Sequence, residues 1–301
     1  MGVVIPNPLR AGDPATGDRT VVWWAWAALV ANTTIILTGG LVRLTGSGLG
    51  CPTWPRCTDE SFVPHSALGL HGAIEFGNRM LTYVLIAVVV AMVVAVWRWS
   101  GTSRALRRLA VVIALGVPFQ GVIGGITVLT DLNPWIVALH LILSMGLVAL
   151  STWLLLEVRG TDVAGLDRVV LATYALVWVV VYLGTIVTGS GPHAGDAEAP
   201  RNGLDPQAMS HLHAAGVYLL VAATLVCVWR LRTTSAARAA IVVLGVELAQ
   251  GAVGFVQYLT DLPVALVAVH LVGAAALVAV STRLLLVAPA TVRSSSVPVS
   301  S

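Results

Sequence analysis

The chain has 301 residues, 57% hydrophobic and 10% charged, with a mean hydropathy of +0.89. A soluble domain carries about a quarter charged residues, so this composition excludes a water-covered globule and makes lipid the solvent. All 17 basic residues are Arg and the net charge is +3, a balance that gives no sign of a nucleic-acid partner.

Residues 1–21 are polar, with Pro6, Pro8, Asp13 and Asp18, and hold no apolar signal-peptide core. They are expected to form a cytoplasmic tail without a cleaved leader, the first span acting as the targeting signal. A bilayer-crossing helix takes about 20 apolar residues. Eight segments meet this need, near 22–42, 74–97, 109–128, 136–157, 168–189, 210–229, 238–258 and 264–287. The breaks run Arg98 to Arg108, Thr130 to Pro134, Glu157 to Arg168, Gly189 to Gln207, Arg230 to Arg238 and Thr260 to Pro263. Arg10, Arg19, Arg98, Arg104, Arg107, Arg108, Arg159, Arg168, Arg230, Arg232, Arg238, Arg283 and Arg293 fall on one side of these spans. Arg43, Arg56 and Arg201 fall on the other, with Arg79 just inside a helix. The excess of Arg on cytoplasmic loops then puts both termini in the cytoplasm and the loops 43–73 and 190–209 outside.

The two halves repeat. Gln120 to His140 reads QGVIGGITVLTDLNPWIVALH and Gln250 to His270 reads QGAVGFVQYLTDLPVALVAVH, with ten identities in 21 ungapped positions. Thr45-Gly-Ser-Gly48 matches Thr188-Gly-Ser-Gly191, Asn78 to Tyr83 matches His213 to Tyr218, and Ser151-Thr152 matches Ser281-Thr282. Shared polar residues weigh against a chance match of two apolar helices. Four helices per copy insert the same way up, as a parallel repeat about the membrane normal. The expected fold is therefore an all-α membrane protein of eight transmembrane helices, arranged as two parallel pseudo-symmetric four-helix bundles. Its parts are an N-terminal tail 1–21, a first bundle 22–157, a cytoplasmic linker 158–167, a second bundle 168–287 and a cytoplasmic tail 288–301.

His140 and His270 hold equivalent places in the repeat, each just inside the outer end of its helix, and His213 stands near the outer end of the sixth. Ionisable residues within a membrane are costly and usually functional. Two imidazoles facing each other at one depth suit bis-His heme; packing against Ser, Thr or backbone is the bland alternative. His211 is about 200° round the helix from His213, so it faces a neighbour or the interface instead. His65 and His193 are expected to be solvated in outer loops. The first half departs from the pattern, with Asn78 at the place of His213. His71, Glu75, Asn78 and Arg79 share one helix face there, and Glu75–Arg79 at i, i+4 is either an ion pair steadying the helix end or part of a site. One half thus holds paired His and the other an acid beside an incomplete pair, which suggests a permanent cofactor in one and chemistry in the other.

Cys51-Pro-Thr-Trp-Pro-Arg-Cys57 lies on the outer side, where disulfides persist, and a bridge is expected. Heme attachment is excluded by the lack of Cys-x-x-Cys-His, and two Cys are too few for zinc. Whether the bridge is a staple over the first bundle or a redox-active dithiol stays open. Cys227 reads as inert filler.

The run Thr45-Gly-Ser-Gly-Leu-Gly-Cys-Pro-Thr-Trp-Pro-Arg-Cys57, the element Glu75-Phe-Gly-Asn78-Arg79 and the His of helices four, six and eight resemble the heme A synthase family, in an actinobacterial-like variant. The likeness runs from about residue 22 to 287. It implies an oxidoreductase that converts the C8 methyl of heme O to a formyl, giving heme A for terminal cytochrome oxidase. It implies heme b held by His213 and His270, with substrate heme O in the first half near His140 and Glu75. Glu75 is then the catalytic candidate, moving protons or stabilising a cation at the methyl carbon. His71, Asn78 and Arg79 complete the pocket, and Arg79, or Arg43 with Arg201, pairs with propionates. The family pattern has His where this chain has Asn78, so substrate iron is expected on His140 alone or with His71 as substitute. The resemblance further implies a bacterial cell membrane as the location, an electron donor and a heme O synthase as partners, and room for a homo-oligomer.

Two other classes compete. A b-type cytochrome of the quinol-oxidoreductase kind uses the same ligands but needs no acid-bearing, ligand-poor half. A transporter or assembly factor shares the parallel repeat, but paired Gly/Pro breaks at mid-membrane are missing.

Overall fold

The computed structural model describes residues 18–161 and 167–289. Expectations placed on Pro6, Pro8, Arg10, Asp13, Arg293, half of the linker and most of the tails lie outside the described residues. Eight helices are long and apolar enough to cross a membrane, and no strand occurs among the described residues. They are α1 (Arg19–Leu44), α2 (Gly69–Arg98), α3 (Arg104–Leu129), α4 (Pro134–Val158), α5 (Arg168–Ser190), α6 (Pro206–Leu231), α7 (Ala237–Leu259) and α8 (Val264–Val287). A short 3-10 turn, Ser66–Leu68, precedes α2.

Most helices run a few residues past the apolar segments because polar caps satisfy their first backbone N–H groups. Ser103 Oγ accepts from Leu106 N at 3.0 Å, so α3 begins ahead of Arg107 and Arg108 rather than after them. Asn133 and Asp205 cap α4 and α6, each followed by Pro at the first turn, where a missing N–H costs nothing.

Helices α1 to α4 pack in a closed ring, α1 on α2, α2 on α3, α3 on α4 and α4 on α1, and α5 to α8 close the same way. The rings meet through α4 on α8, α1 on α8 and α4 on α5. The central position of α4 shows in its span, 56% buried against 17–39% for the others. With lipid outside, close contact rather than hydrophobic expulsion holds such helices together. Small residues serve it: Ala25, Ala28, Ala110, Ala240 and Ala275 are almost fully buried beside Met92, Met145, Leu220 and Leu284. Polar ties add specificity, Asn32 Nδ2 to Ser151 Oγ at 3.4 Å between α1 and α4, and Tyr174 to Thr282 at 3.1 Å between α5 and α8. Leu115, Tyr218 and Leu259 stand exposed, as a lipid-facing girth requires.

The repeated Thr-Asp-Leu turns fold alike. Asp131 and Leu132 have φ of 52° and 59°, and Asp261 and Leu262 both have 58°. In each copy the Leu N–H returns to a helix carbonyl at 2.8 Å, Thr127 O for Leu132 and Gln257 O for Leu262. Thr130 and Thr260 each donate to a carbonyl one turn back at 2.7 Å.

Candidate functional site

Within each ring the helices that do not touch are the diagonal pairs, α1 with α3 and α2 with α4 in one, α5 with α7 and α6 with α8 in the other. Side chains on a diagonal pair face each other across the bundle axis. His213 is the eighth residue of α6 and His270 the seventh of α8, so at 1.5 Å per residue both lie about 10 Å inside the outer helix ends. Each is seated against a glycine of the preceding helix: a Cβ on Gly184 would stand 3.3 Å from Cε1 of His213, and one on Gly254 would stand 3.6 Å from Cε1 of His270. The Nδ1 atoms of both rings are buried and without a hydrogen-bond partner; the Val180 backbone approaches His213, but not in full hydrogen-bond geometry. Two half-buried imidazoles on diagonal helices, each with a buried Nδ1 free of a hydrogen-bond partner, form a donor set that fits six-coordinate porphyrin iron.

In the first bundle His140 sits against Gly124, whose added Cβ would lie 3.4 Å from Cε1, and its Nδ1 is again buried and unpartnered. Gln120 Nε2 donates to the His140 carbonyl at 3.0 Å and to Ser144 Oγ at 2.9 Å, fixing this stretch of α4 to α3. The diagonal helix α2 carries Asn78, whose Oδ1 accepts from Thr38 at 2.8 Å. His71 does not share that level. It lies seven residues outward on α2, exposed, with Nδ1 2.9 Å from Ser47 Oγ.

Glu75 and Arg79 form the i, i+4 pair, Nη2 to Oε1 at 2.5 Å, and do more than steady the helix end. Glu75 Oε2 accepts from Cys51 N at 2.6 Å, while Arg79 donates to the carbonyls of Cys51, Thr53 and Arg56. The pair clamps the outer loop, and Cys51 and Cys57 are joined in a disulfide there. Trp54 of the same loop lies against Gly125, where a Cβ would come within 2.3 Å of its ring. The loop is thereby seated on α3 one residue from Gly124, over the His140 side of the bundle.

Arg79 is thus largely spent on the loop. Arg43 and Arg201 line one outer cavity of ≈ 200 Å³ between the two halves. Arg43 donates to His193 O at 2.6 Å and Thr188 O at 2.9 Å, and Arg201 to Ala199 O and Pro192 O. His193 is not solvated as expected: its Nε2 lies 2.9 Å from the Leu262 carbonyl, because the left-handed turn aims that oxygen at the loop. His65 is exposed, and His211 is exposed beside Tyr258. Cys227 is buried, with Sγ 3.2 Å from Thr173 Oγ1 rather than in purely apolar packing. The glycine seats were missed from sequence; the Gly-Gly pair Gly124-Gly125, between Gln120 and His140, was the available signal.

Comparison with known proteins fits this arrangement. The chain matches the cytochrome oxidase assembly protein family, COX15-CtaA, over residues 22–282. It belongs to that family. A heme A synthase of Geobacillus kaustophilus is 29% identical over 183 residues, 56% of this chain and 56% of that protein. One of Halalkalibacterium halodurans is 27% identical over 219 residues, 67% of this chain and 73% of that protein. One of Shewanella oneidensis is 31% identical over 183 residues, again 56% of each. The chain spans about half the length of most of these curated relatives. As a COX15-CtaA protein with eight candidate spans it is a multi-pass membrane protein.

Proposed function

We propose that this COX15-CtaA protein is a heme A synthase, an oxidoreductase that converts the C8 methyl of substrate heme O to a formyl group. The observation that supports the reading is the placement of His213 and His270 on diagonal helices at similar depth, in a chain whose relatives are named for this activity. Heme b held there supplies one-electron redox chemistry when bound. His213 and His270 would hold its iron, and the lack of a Cβ at Gly184 spares the His213 ring a tight contact at 3.3 Å.

The first bundle is the substrate half. His140 is the iron ligand, oriented through the Gln120 and Ser144 bonds to its backbone. Asn78, tied to Thr38, offers no imidazole, and His71 stands about two turns away toward the outer loop. This favours His140 alone over the pair with His71. His71→Ala should then keep substrate-heme binding in a spectral titration, and loss of binding would reinstate His71 as ligand. Glu75 is the group to move a proton at the reacting methyl. Both its oxygens are occupied, so it acts by releasing the Cys51 N–H, which couples proton transfer to movement of the loop. Arg43 and Arg201, which line one cavity, are the candidates for pairing with propionates, at the cost of their present bonds to loop carbonyls.

The Arg-rich end of the bundle lies in the cytoplasm with both termini, in a bacterial cell membrane. Arg107 over Trp97 and Arg232 over Trp229, at 5.8 and 5.0 Å, suit an interfacial belt at that end. The reaction requires an electron donor and a source of heme O as partners. Co-expression with a heme O synthase, followed by chromatography of extracted hemes, should yield heme A. Recovery of unconverted heme O alone would overturn the assignment.

A further inference from the structure

The second bundle carries a buried acid that the proposed reaction leaves unused. Glu247 lies mid-way along α7, 2% exposed, where the first copy of the repeat has Val117. Thr224 of α6 donates to Glu247 Oε1 at 2.7 Å, while Oε2 is buried and has no partner. A carboxyl at this depth without a neighbouring cation is expensive, and such groups mark ion or proton routes.

Its surroundings run in a line along the bundle. On α6, Thr224 and Cys227 fall at i+11 and i+14 from His213, the same inward face. Cys227 contacts Thr173 of α5, with Sγ 3.2 Å from Oγ1. Asp167 and Arg230 pair at 3.3 Å at the Arg-rich end. In the other direction, Glu247, Gln250 and Gly254 fall at i, i+3 and i+7 on α7, about 10 Å in all, and a Cβ added at Gly254 would lie 3.6 Å from Cε1 of His270. Gln250 Oε1 is also buried and unpartnered. On α6, Cys227 is the titratable residue one turn from Thr224; the ionisable residues of α8 are His270, further outward, and Arg283, near the Arg-rich end.

We propose that Glu247 is the proton-binding site coupled to the redox state of the second bundle, loaded from the Arg-rich end past Asp167, Cys227 and Thr224. The inference rests on the reading that His213 and His270 hold heme b. One electron from a quinol-class donor, reducing ferric to ferrous iron, adds one negative charge to the bundle interior. Glu247 balances it by taking one proton from water at the Arg-rich end, forming an O–H bond at Oε2. Reoxidation releases the same proton. Thr224, donating to Oε1, keeps Oε2 the receiving atom.

Redox titration of the purified heme-loaded protein across the neutral pH range tests this. The wild-type midpoint potential should fall with rising pH, approaching about 59 mV per tenfold change in proton concentration. Glu247→Gln should remove the slope while the low-spin spectrum stays, and a carboxyl band in the redox-difference infrared spectrum should vanish with it. Thr224→Val, which retains the acid, should displace the pH at which the slope appears. A flat wild-type profile, or a slope that survives in Glu247→Gln, overturns the proton-binding role. Absence of any low-spin heme from the wild-type protein would overturn the heme reading, and the coupling with it.

Discussion

A methyl group added at Gly184 would crowd Cε1 of His213, and a branched side chain would drive the imidazole off the bundle axis. Gly184→Leu should therefore abolish the bis-His spectrum through overpacking of about 1–3 kcal/mol, while the protein still inserts. An unchanged spectrum would show that the seat is not needed. Glu75 presents a different dependence, because its carboxylate joins α2 to the Cys51–Cys57 loop. Glu75→Gln should stop heme A formation and leave heme b bound in the other bundle, at a stability cost of about 1–3 kcal/mol for the disturbed buried bonds. Normal heme A output from that variant would remove Glu75 from the reaction. The imidazoles and the acid were legible in the sequence because a membrane tolerates few such groups. Their glycine seats were not, since nothing along the chain says which glycine meets which ring. His193 was misread for the same reason: its partner, the Leu262 carbonyl, is brought to it only by the folded turn.

At the level of the element, the spans were readable from length and apolarity, and the ends were not. Helix ends depend on single polar side chains such as Ser103 and Asp205, which a hydropathy window averages away. The Thr-Asp-Leu turns show the reverse. Identity of the two copies was plain in the sequence, but the left-handed backbone at Asp131 and Asp261 was hidden, because neither position is a glycine. Asp tolerates this conformation better than branched residues do. Asp131→Val or Asp261→Val should each lower stability by about 1–2 kcal/mol, read as a lower melting temperature in detergent. No change would mean that the turns relax without cost. Leu132 in the first turn is buried against Ala194 and Ala199 of the loop after α5. One turn therefore also carries contact between the halves.

At the scale of the whole molecule, two rings of four helices were expected, and the contact pattern closes both. Their interface could not be read from pattern alone, because α4 and α8 look like any other apolar span until packing brings them together between the halves. Beyond the helices, the outer loops cross between the halves. Arg43 at the end of α1 bonds the carbonyls of Thr188 and His193, and Gly48 N donates to Gly195 O at 2.8 Å. That lacing means covalent continuity near residues 158–167 is dispensable. Two separately translated pieces, divided in that stretch and produced together, should find one another and copurify from detergent. Recovery of either fragment alone would mean that the stitches between the loops are too weak to replace the peptide bond.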